Sequence, residues 1–414
     1  MTTSLPEEMK IQSPTFNDKA YFDYLLSLES VDDDTSYFPE DSLSDVPVWT
    51  ESNYNKPSFI ENLHLEILDF VHYCKPTPLE SLMRLHLIEK LESLCQDVFT
   101  GSSIRAFGSG YTGLFLPGAD VDLVVKAHDY STDSAVSLLA DVMIQAGYSH
   151  VQPITGAKIP IVKAIDPITK LKIDISFNIS SGITSTRYLC DLVQEFPISA
   201  DLFLVLKRFL LQRGLNDTYS GGLGSYPLFL SIIGFLQNYS YCFGYSKCLP
   251  SNLGRALLDY FDFYLFKFNW RNLGLSIQDN GRVFFKDRCG LDAPQDCLCI
   301  EDPTDSSNNV GKGSRNFFKI MRAYEYAYKQ LVSISRSRDY HCATPLSSIL
   351  WFSLSDRVER IRSVSGFIIN NKGIDFPNLV KLIPQFPVDR AREGPIQSAK
   401  TTKGGKSGMK KRRN

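Results

Sequence analysis

No stretch of this 414-residue chain is apolar enough to cross a bilayer as a helix. The longest apolar run, Leu228 to Leu236, is interrupted by Ser231 and Gly234 and falls far short of the ~20 residues a span needs. The opening Met-Thr-Thr-Ser-Leu-Pro-Glu-Glu has no basic start and no apolar core, so it reads as no secretory leader. Histidine is scarce, six residues scattered along the chain, and none falls into a catalytic or metal-ligand pattern. The nine cysteines are odd in number and irregular in spacing, which points to reduced thiols in an intracellular compartment rather than a disulfide framework. Cys297-x-Cys299 with Cys289 upstream lacks a fourth ligand at zinc-site spacing. With 26 Gly and 21 Pro, neither a collagen-like nor a wholly disordered chain fits.

Net charge is also small, −2, but it conceals a split. Residues 1–60 hold twelve acids against three bases, and residues 398–414 hold seven bases and no acid. The ordered remainder is neutral, so any grip on nucleic acid must come from local patches, the basic tail or a partner. Residues 1–45 read as an acidic flexible tail and residues 392–414 as a basic one.

Between the tails the hydrophobic periodicity changes twice. Leu63, Ile67, Phe70, Val71 and Cys74 recur at helical spacing until Pro76, and a second helical stretch follows from Leu79 to Phe99. Short strand-like runs come next: Ser103 to Phe107, Val121 to Val125, His150 to Thr155, Pro160 to Ile165 and Leu171 to Phe177, with a helix from Ser134 to Ala146 between the second and third. After Gly182, helices are expected over Asp201 to Arg213, Tyr226 to Tyr239, Leu253 to Tyr264 and Phe317 to Ser333. The pattern is α+β: a small mixed sheet over 79–182, and a mainly helical part from 58–78 and 183–380.

The chemistry concentrates in Phe107-Gly108-Ser109, Gly118-Ala119-Asp120-Val121-Asp122 and Ile173-Asp174-Ile175. A Gly-Ser where a strand turns into a helix frees backbone N–H groups and a hydroxyl for phosphate oxygens. Asp120 and Asp122, spaced i, i+2 along a strand, share a face. Asp174 is the one acid in an otherwise apolar run. Clustered carboxylates repel unless a cation joins them, and hard oxygen ligands suit Mg2+ or Mn2+. Three such acids beside a phosphate-binding turn are the parts for two-metal phosphoryl or nucleotidyl transfer.

These segments resemble the signature of the DNA polymerase β-like nucleotidyltransferase superfamily. A finer similarity is to TRAMP-type non-canonical poly(A) polymerases, carried also by Leu206 to Asn216, Tyr219 to Tyr226, and Ile300 to Gly311. The resemblance covers about Val46 to Tyr326 and leaves out both tails. It implies a nucleotidyltransferase domain, a helical central domain with a nucleotide-recognition motif, and ATP in the cleft between them. It implies that Gly108 and Ser109 hold the triphosphate, that Asp120 and Asp122 bind two metal ions, and that Asp174 ligates the catalytic one and draws the proton from an RNA 3′-hydroxyl. Asn178 would contact the ribose, Lys207 and Ser225 the phosphates, and Tyr226 the base, with Asp302, Asp305 and Asn308 lying near it. Relatives that prefer UTP carry His where this chain has Asn308, so ATP is expected. Uridylyl-transferring relatives place a second lysine one turn after the first, where this chain has Leu211. The implied activity is template-independent RNA 3′-adenylyl transfer in nuclear RNA surveillance, with a zinc-knuckle RNA-binding protein and an RNA helicase as partners, no membrane, and a nuclear location with the nucleolus open. The alternatives are a terminal uridylyltransferase or a catalytically silent scaffold on the same fold.

Overall fold

The computed structural model describes residues 47–371, apart from 52–53, 128, 158, 180, 245–248, 279 and 338–343. Both charged tails, and residues 372–380 of the expected helical part, lie outside the described residues.

Helix α1 (Phe59–Cys74) buries Leu63, Ile67, Phe70 and Val71 at the expected spacing. Helix α2 (Pro78–Val98) starts where Thr77 accepts from the Glu80 backbone and Glu80 accepts in return, with Pro78 at its first position. Its buried row is Leu79, Met83, Leu87, Leu91 and Cys95, one i, i+4 line. Strand β1 (Ser103–Ala106) leads to a single helical turn, Ser109–Thr112. There follow β2 (Val121–Lys126), α3 (Thr132–Gln145), β3 (Ser149–Ile154), β4 (Ile161–Ile165) and β5 (Lys172–Phe177). The five strands form one sheet in the order β1-β2-β5-β4-β3, in which β2 and β5 run parallel at the centre.

Helix α4 (Ser181–Glu195) has no counterpart in the sequence reading. It precedes α5 (Ile198–Leu211), α6 (Ser225–Gln237) and α7 (Leu253–Asp262). Every residue of α6 from Pro227 to Leu236 is buried, which makes it the central post of the helical part. A second sheet was also not expected: β6 (Leu273–Ser276), β7 (Arg282–Phe285), β8 (Cys299–Asp302) and β9 (Asp305–Asn309), in the order β7-β6-β8-β9. Helices α8 (Phe317–Ser335) and α9 (Leu354–Asn370) complete the described chain.

Two apolar cores result. One gathers α1 and α5 to α8, with Phe209, Phe235, Tyr260 and Tyr324 fully buried among one another's ring edges. The other lies between the first sheet, α2 and α3. Each large apolar side chain so buried stabilises by ~1.5–3 kcal/mol before the entropy of ordering it is set against that. Two segments cross between the cores. Leu114 and Leu116, just after the Ser109 turn, pack into the helical core. Val364, Phe367 and Ile368 of α9 pack into the sheet core, although α9 falls within the stretch read from sequence as helical domain.

Candidate active site

The site is built where β1 ends and where β2 and β5 begin, against the helical part. Gly108 closes β1 with φ 59° and ψ −132°, a conformation that L residues avoid. A Cβ there would stand 3.7 Å from Asp122 Oδ2, so the turn lies directly against that carboxylate. The Gly108 N–H donates to Thr186 Oγ1 at 2.9 Å, and the buried Thr186 hydroxyl donates to the Gly182 carbonyl at 2.6 Å. Ser109 opens the helical turn behind it.

Strand β2 begins at Val121, so Asp120 precedes the strand and Asp122 is its second residue. The parallel register sets Asp122 opposite Asp174, and the antiparallel register of β4 sets Lys163 on the other side of Asp174. Lys163 Nζ lies 2.6 Å from Asp174 Oδ2. Burial, then the Asp174 and Asp120 charges, push Asp122 up to about 6. Asp120 is raised by burial and by Asp174, against the pull of Lys172, Lys163 and Arg84. Among the described residues no three His, Cys, Asp or Glu side chains converge closely enough to hold a metal as they stand, and Asp174 is paired with Lys163 instead. The donor chemistry nevertheless fits a hard divalent cation. All three groups are carboxylates, and a cation would relieve the repulsion that raises Asp120 and Asp122.

Lys207 reaches the same place from α5. Its ammonium donates to the Leu114 carbonyl at 3.3 Å and stands 5.4 Å from the Phe203 ring centroid. Burial pulls it down to about 8 against the attraction of Asp122 and Asp120. Ser225 is exposed at the first position of α6, behind Gly224, which supplies no side-chain cap. The first-turn N–H groups of α6 therefore have no side-chain partner from Gly224, and the positive end of that helix favours an anion.

The expected base contacts assemble around one carboxylate. Buried Asp302, at the end of β8, accepts from the Tyr226 hydroxyl at 3.3 Å through Oδ1 and from the Asn308 amide at 3.0 Å through Oδ2. Oδ1 also accepts from the Thr304 N–H and hydroxyl. Ser185 and Thr304 also lie beside the Tyr226 hydroxyl, and burial together with Asp302 holds it well above the ordinary phenol range. Residues 76 to 82 apart in sequence thus become one platform.

Two expected contacts have other work here. Asn178, with φ 57°, accepts from the Ala127 N–H at 2.9 Å and donates to the Ala127 carbonyl at 3.1 Å, clamping the ends of β2 and β5 together. Asp305 is exposed and its Oδ1 accepts from the Ser307 N–H and hydroxyl, both within β9. Conversely, sequence reasoning missed Lys163, Ser185 and Thr186. Ser185 and Thr186 are neighbours on α4, and one touches the base platform while the other touches the phosphate turn.

Residues 63–194 match the central palm domain of the mitochondrial-like poly(A) RNA polymerase family, and residues 252–308 match the Cid1 family poly A polymerase domain. The chain is 31% identical to the inactive non-canonical poly(A) RNA polymerase protein Trf4-2 of Drosophila melanogaster, covering 69% of this chain and 72% of that one. It is 34% identical to poly(A) RNA polymerase gld-4 of Caenorhabditis elegans over 70% of its own length and 36% of the relative's. With poly(A) RNA polymerase cid14 of Schizosaccharomyces pombe the identity is 32%, over 65% of this chain and 40% of that one. The chain thus spans well under half the length of the last two. Among solved structures, the polymerase core of TRAMP, an RNA surveillance complex, superposes with a TM-score of 0.67 at 25% identity, over 73% of this chain and 98% of that one. A His-to-Asn variant of the Cid1 poly(U) polymerase, bound to MgATP, gives 0.60 at 22% identity, over 70% and 98%. The chain belongs to the non-canonical poly(A) RNA polymerases, a family on the DNA polymerase β-like nucleotidyltransferase fold.

Proposed function

We propose that this chain adds adenylate from ATP to RNA 3′ ends without a template, by two-metal nucleotidyl transfer. The observation that carries the reading is the β2–β5 register, which sets Asp122 beside Asp174 with Asp120 and the Gly108 turn next to them. Asp120 and Asp122 would hold two divalent ions, Mg2+ or Mn2+, and Asp174 the one beside the RNA 3′-hydroxyl. Such ions, when bound, activate that hydroxyl and neutralise the departing pyrophosphate. Asp174 accepts the hydroxyl proton, and Lys163 at 2.6 Å compensates its charge before substrate arrives. Ser109 and the turn N–H groups take the triphosphate from the sheet side, and Lys207 and Ser225 take it from the helical side. Tyr226, its hydroxyl fixed by Asp302, offers a flat face to the base. Positioning and charge neutralisation supply most of the rate.

Asn308 supports ATP over UTP. Its amide is held by Asp302, and the poly(U) polymerase variant solved with MgATP carries Asn in place of His. The likeness to the TRAMP core supports a nuclear RNA surveillance role with a zinc-knuckle RNA-binding protein and an RNA helicase. The basic tail would add salt-sensitive RNA affinity or nuclear import.

Primer extension tests the reading. Full-length protein is incubated with a labelled oligoadenylate, Mg2+ or Mn2+, and each ribonucleotide in turn, with Asp120→Ala as control. A ladder with ATP that is absent from the variant is the expected result. A ladder mainly with UTP keeps the mechanism and overturns the role given to Asn308. No ladder, even with a zinc-knuckle partner added, establishes a silent scaffold, the reading that the inactive Drosophila relative favours.

A further inference from the structure

Three charged side chains behind the Asp120 turn, Glu80 and Arg84 buried and Arg360 partly so, take no part in the chemistry above. Arg360 on α9 donates to both oxygens of Glu80, at 2.6 and 2.8 Å, and to the carbonyls of Tyr73 at 2.7 Å and Lys75 at 3.2 Å. Those carbonyls end α1 and Glu80 lies in the first turn of α2, so one guanidinium spans the break between the two helices. One turn further along α2, Arg84 is 8% exposed. Its guanidinium donates to the Ala119 carbonyl at 2.5 Å and lies 4.5 Å from the Phe115 ring centroid. Ala119 is the residue before Asp120. A narrow cavity lined by Glu80, Arg84, Pro117, Gly118 and Arg360 follows the same line.

Apolar packing alone would attach α9, since Val364, Phe367 and Ile368 already fill the sheet core. Desolvating three more charges costs several kcal/mol per ion unless each is paired with good geometry. What the row adds is direction: a planar guanidinium fixes a carbonyl at a set angle, which an apolar contact does not. Burial alone would raise Glu80, but the hydrogen bonds and charge of Arg360 hold it below the usual range, so the middle of the row stays ionised. Arg84 also feels the Asp120 and Asp122 charges directly.

We propose that Arg360, Glu80 and Arg84 form a positioning row that fixes the Gly118–Asp120 turn, so that helix α9 sets the aim of the Asp120 carboxylate at the metal site. The inference rests on reading Asp120 as a metal ligand. Mn2+ binding to the full chain, followed by electron paramagnetic resonance without nucleotide, tests it apart from activity. The proteins are wild type, Asp120→Asn, Arg84→Met, Arg84→Lys, Glu80→Gln, Arg360→Met and, as a remote control, Lys329→Gln, each with a melting curve. Arg84→Met is expected to weaken Mn2+ by ~10-fold or more, the size seen when an outer partner of a ligand is removed. Glu80→Gln and Arg360→Met should weaken it in the same sense by less, and Arg84→Lys should recover part of the loss. In primer extension the same variants should lower kcat with little change in the KM for ATP. If Arg84→Met does not fold, Arg84→Lys and Glu80→Gln carry the comparison. Folded Arg84 and Glu80 variants that bind Mn2+ as wild type does would overturn the proposal. Loss in Arg84→Met with none in Arg360→Met would remove α9 from it. If Asp120→Asn binds Mn2+ as tightly as wild type, the metal-site reading itself fails.

Discussion

At the scale of the residue, Lys207 favours a triphosphate over the empty protein. Partly buried, and held at about 8, its ammonium has the Leu114 carbonyl for a partner and two carboxylates near enough to steady it. Triphosphate oxygens beside it would favour the charged form further. Affinity for ATP should therefore be full below about pH 8 and fall as pH rises through that value, by up to ~10-fold per pH unit while one proton is linked to binding. Binding of a non-hydrolysable ATP analogue between pH 7 and 9.5 reads this directly. Lys207→Met should bind weakly and without that slope, whereas Lys207→Arg should bind with the slope removed and the affinity kept. A flat wild-type profile would show that Lys207 does not meet the phosphates.

At the scale of the element, the loop feeding α6 shows how closely backbone can be packed to aim a helix. A Cβ on Gly222 would lie 2.4 Å from the Leu215 carbonyl oxygen, while its N–H donates to Asp217 at 2.7 Å. Gly222→Ala must push these strands of loop apart, at ~1–3 kcal/mol, the usual cost of overpacking. Urea melts should show that loss, and the KM for ATP should rise because Ser225 and Tyr226 start three residues on. An unchanged KM would separate the loop from the site. The five strands of the first sheet were legible because each is a short strand-like run between turn residues. The second sheet was not: β9 reads Asp-Ser-Ser-Asn-Asn, with no apolar face at all. Helix α4 was missed because, Ile183 apart, its apolar residues, Tyr188, Leu189, Leu192 and Val193, fall in its second half. The Asp120, Asp122 and Asp174 trio could be read because order and spacing carry it. Lys163, Thr186 and Arg84 could not, because register and packing, not spacing, bring them to the site.

At the scale of the whole molecule, stability depends on segments far apart in sequence meeting at a few buried polar groups. Glu66 on α1 is the clearest case, with none of its surface exposed. Its Oε2 accepts from the Leu346 N–H at 2.6 Å, and its Oε1 from the Ser347 N–H at 3.2 Å and Trp49 Nε1 at 3.4 Å. It thereby joins the start of the described chain to the turn that leads into α9. Burial outweighs those three donors and pushes the carboxyl up from 4.5 to about 8. The folded state then holds the Glu66 proton more tightly than the unfolded chain does. Its contribution is present in full below about pH 4.5 and is lost as pH rises to about 8, at no more than ~1.4 kcal/mol per pH unit. Urea unfolding at pH 5, 6, 7 and 8 should show wild type losing stability with rising pH more steeply than Glu66→Gln, which cannot titrate. Equal slopes would mean that the three N–H donors keep the carboxylate ionised throughout, and that the link between the chain start, α1 and α9 is a charged one.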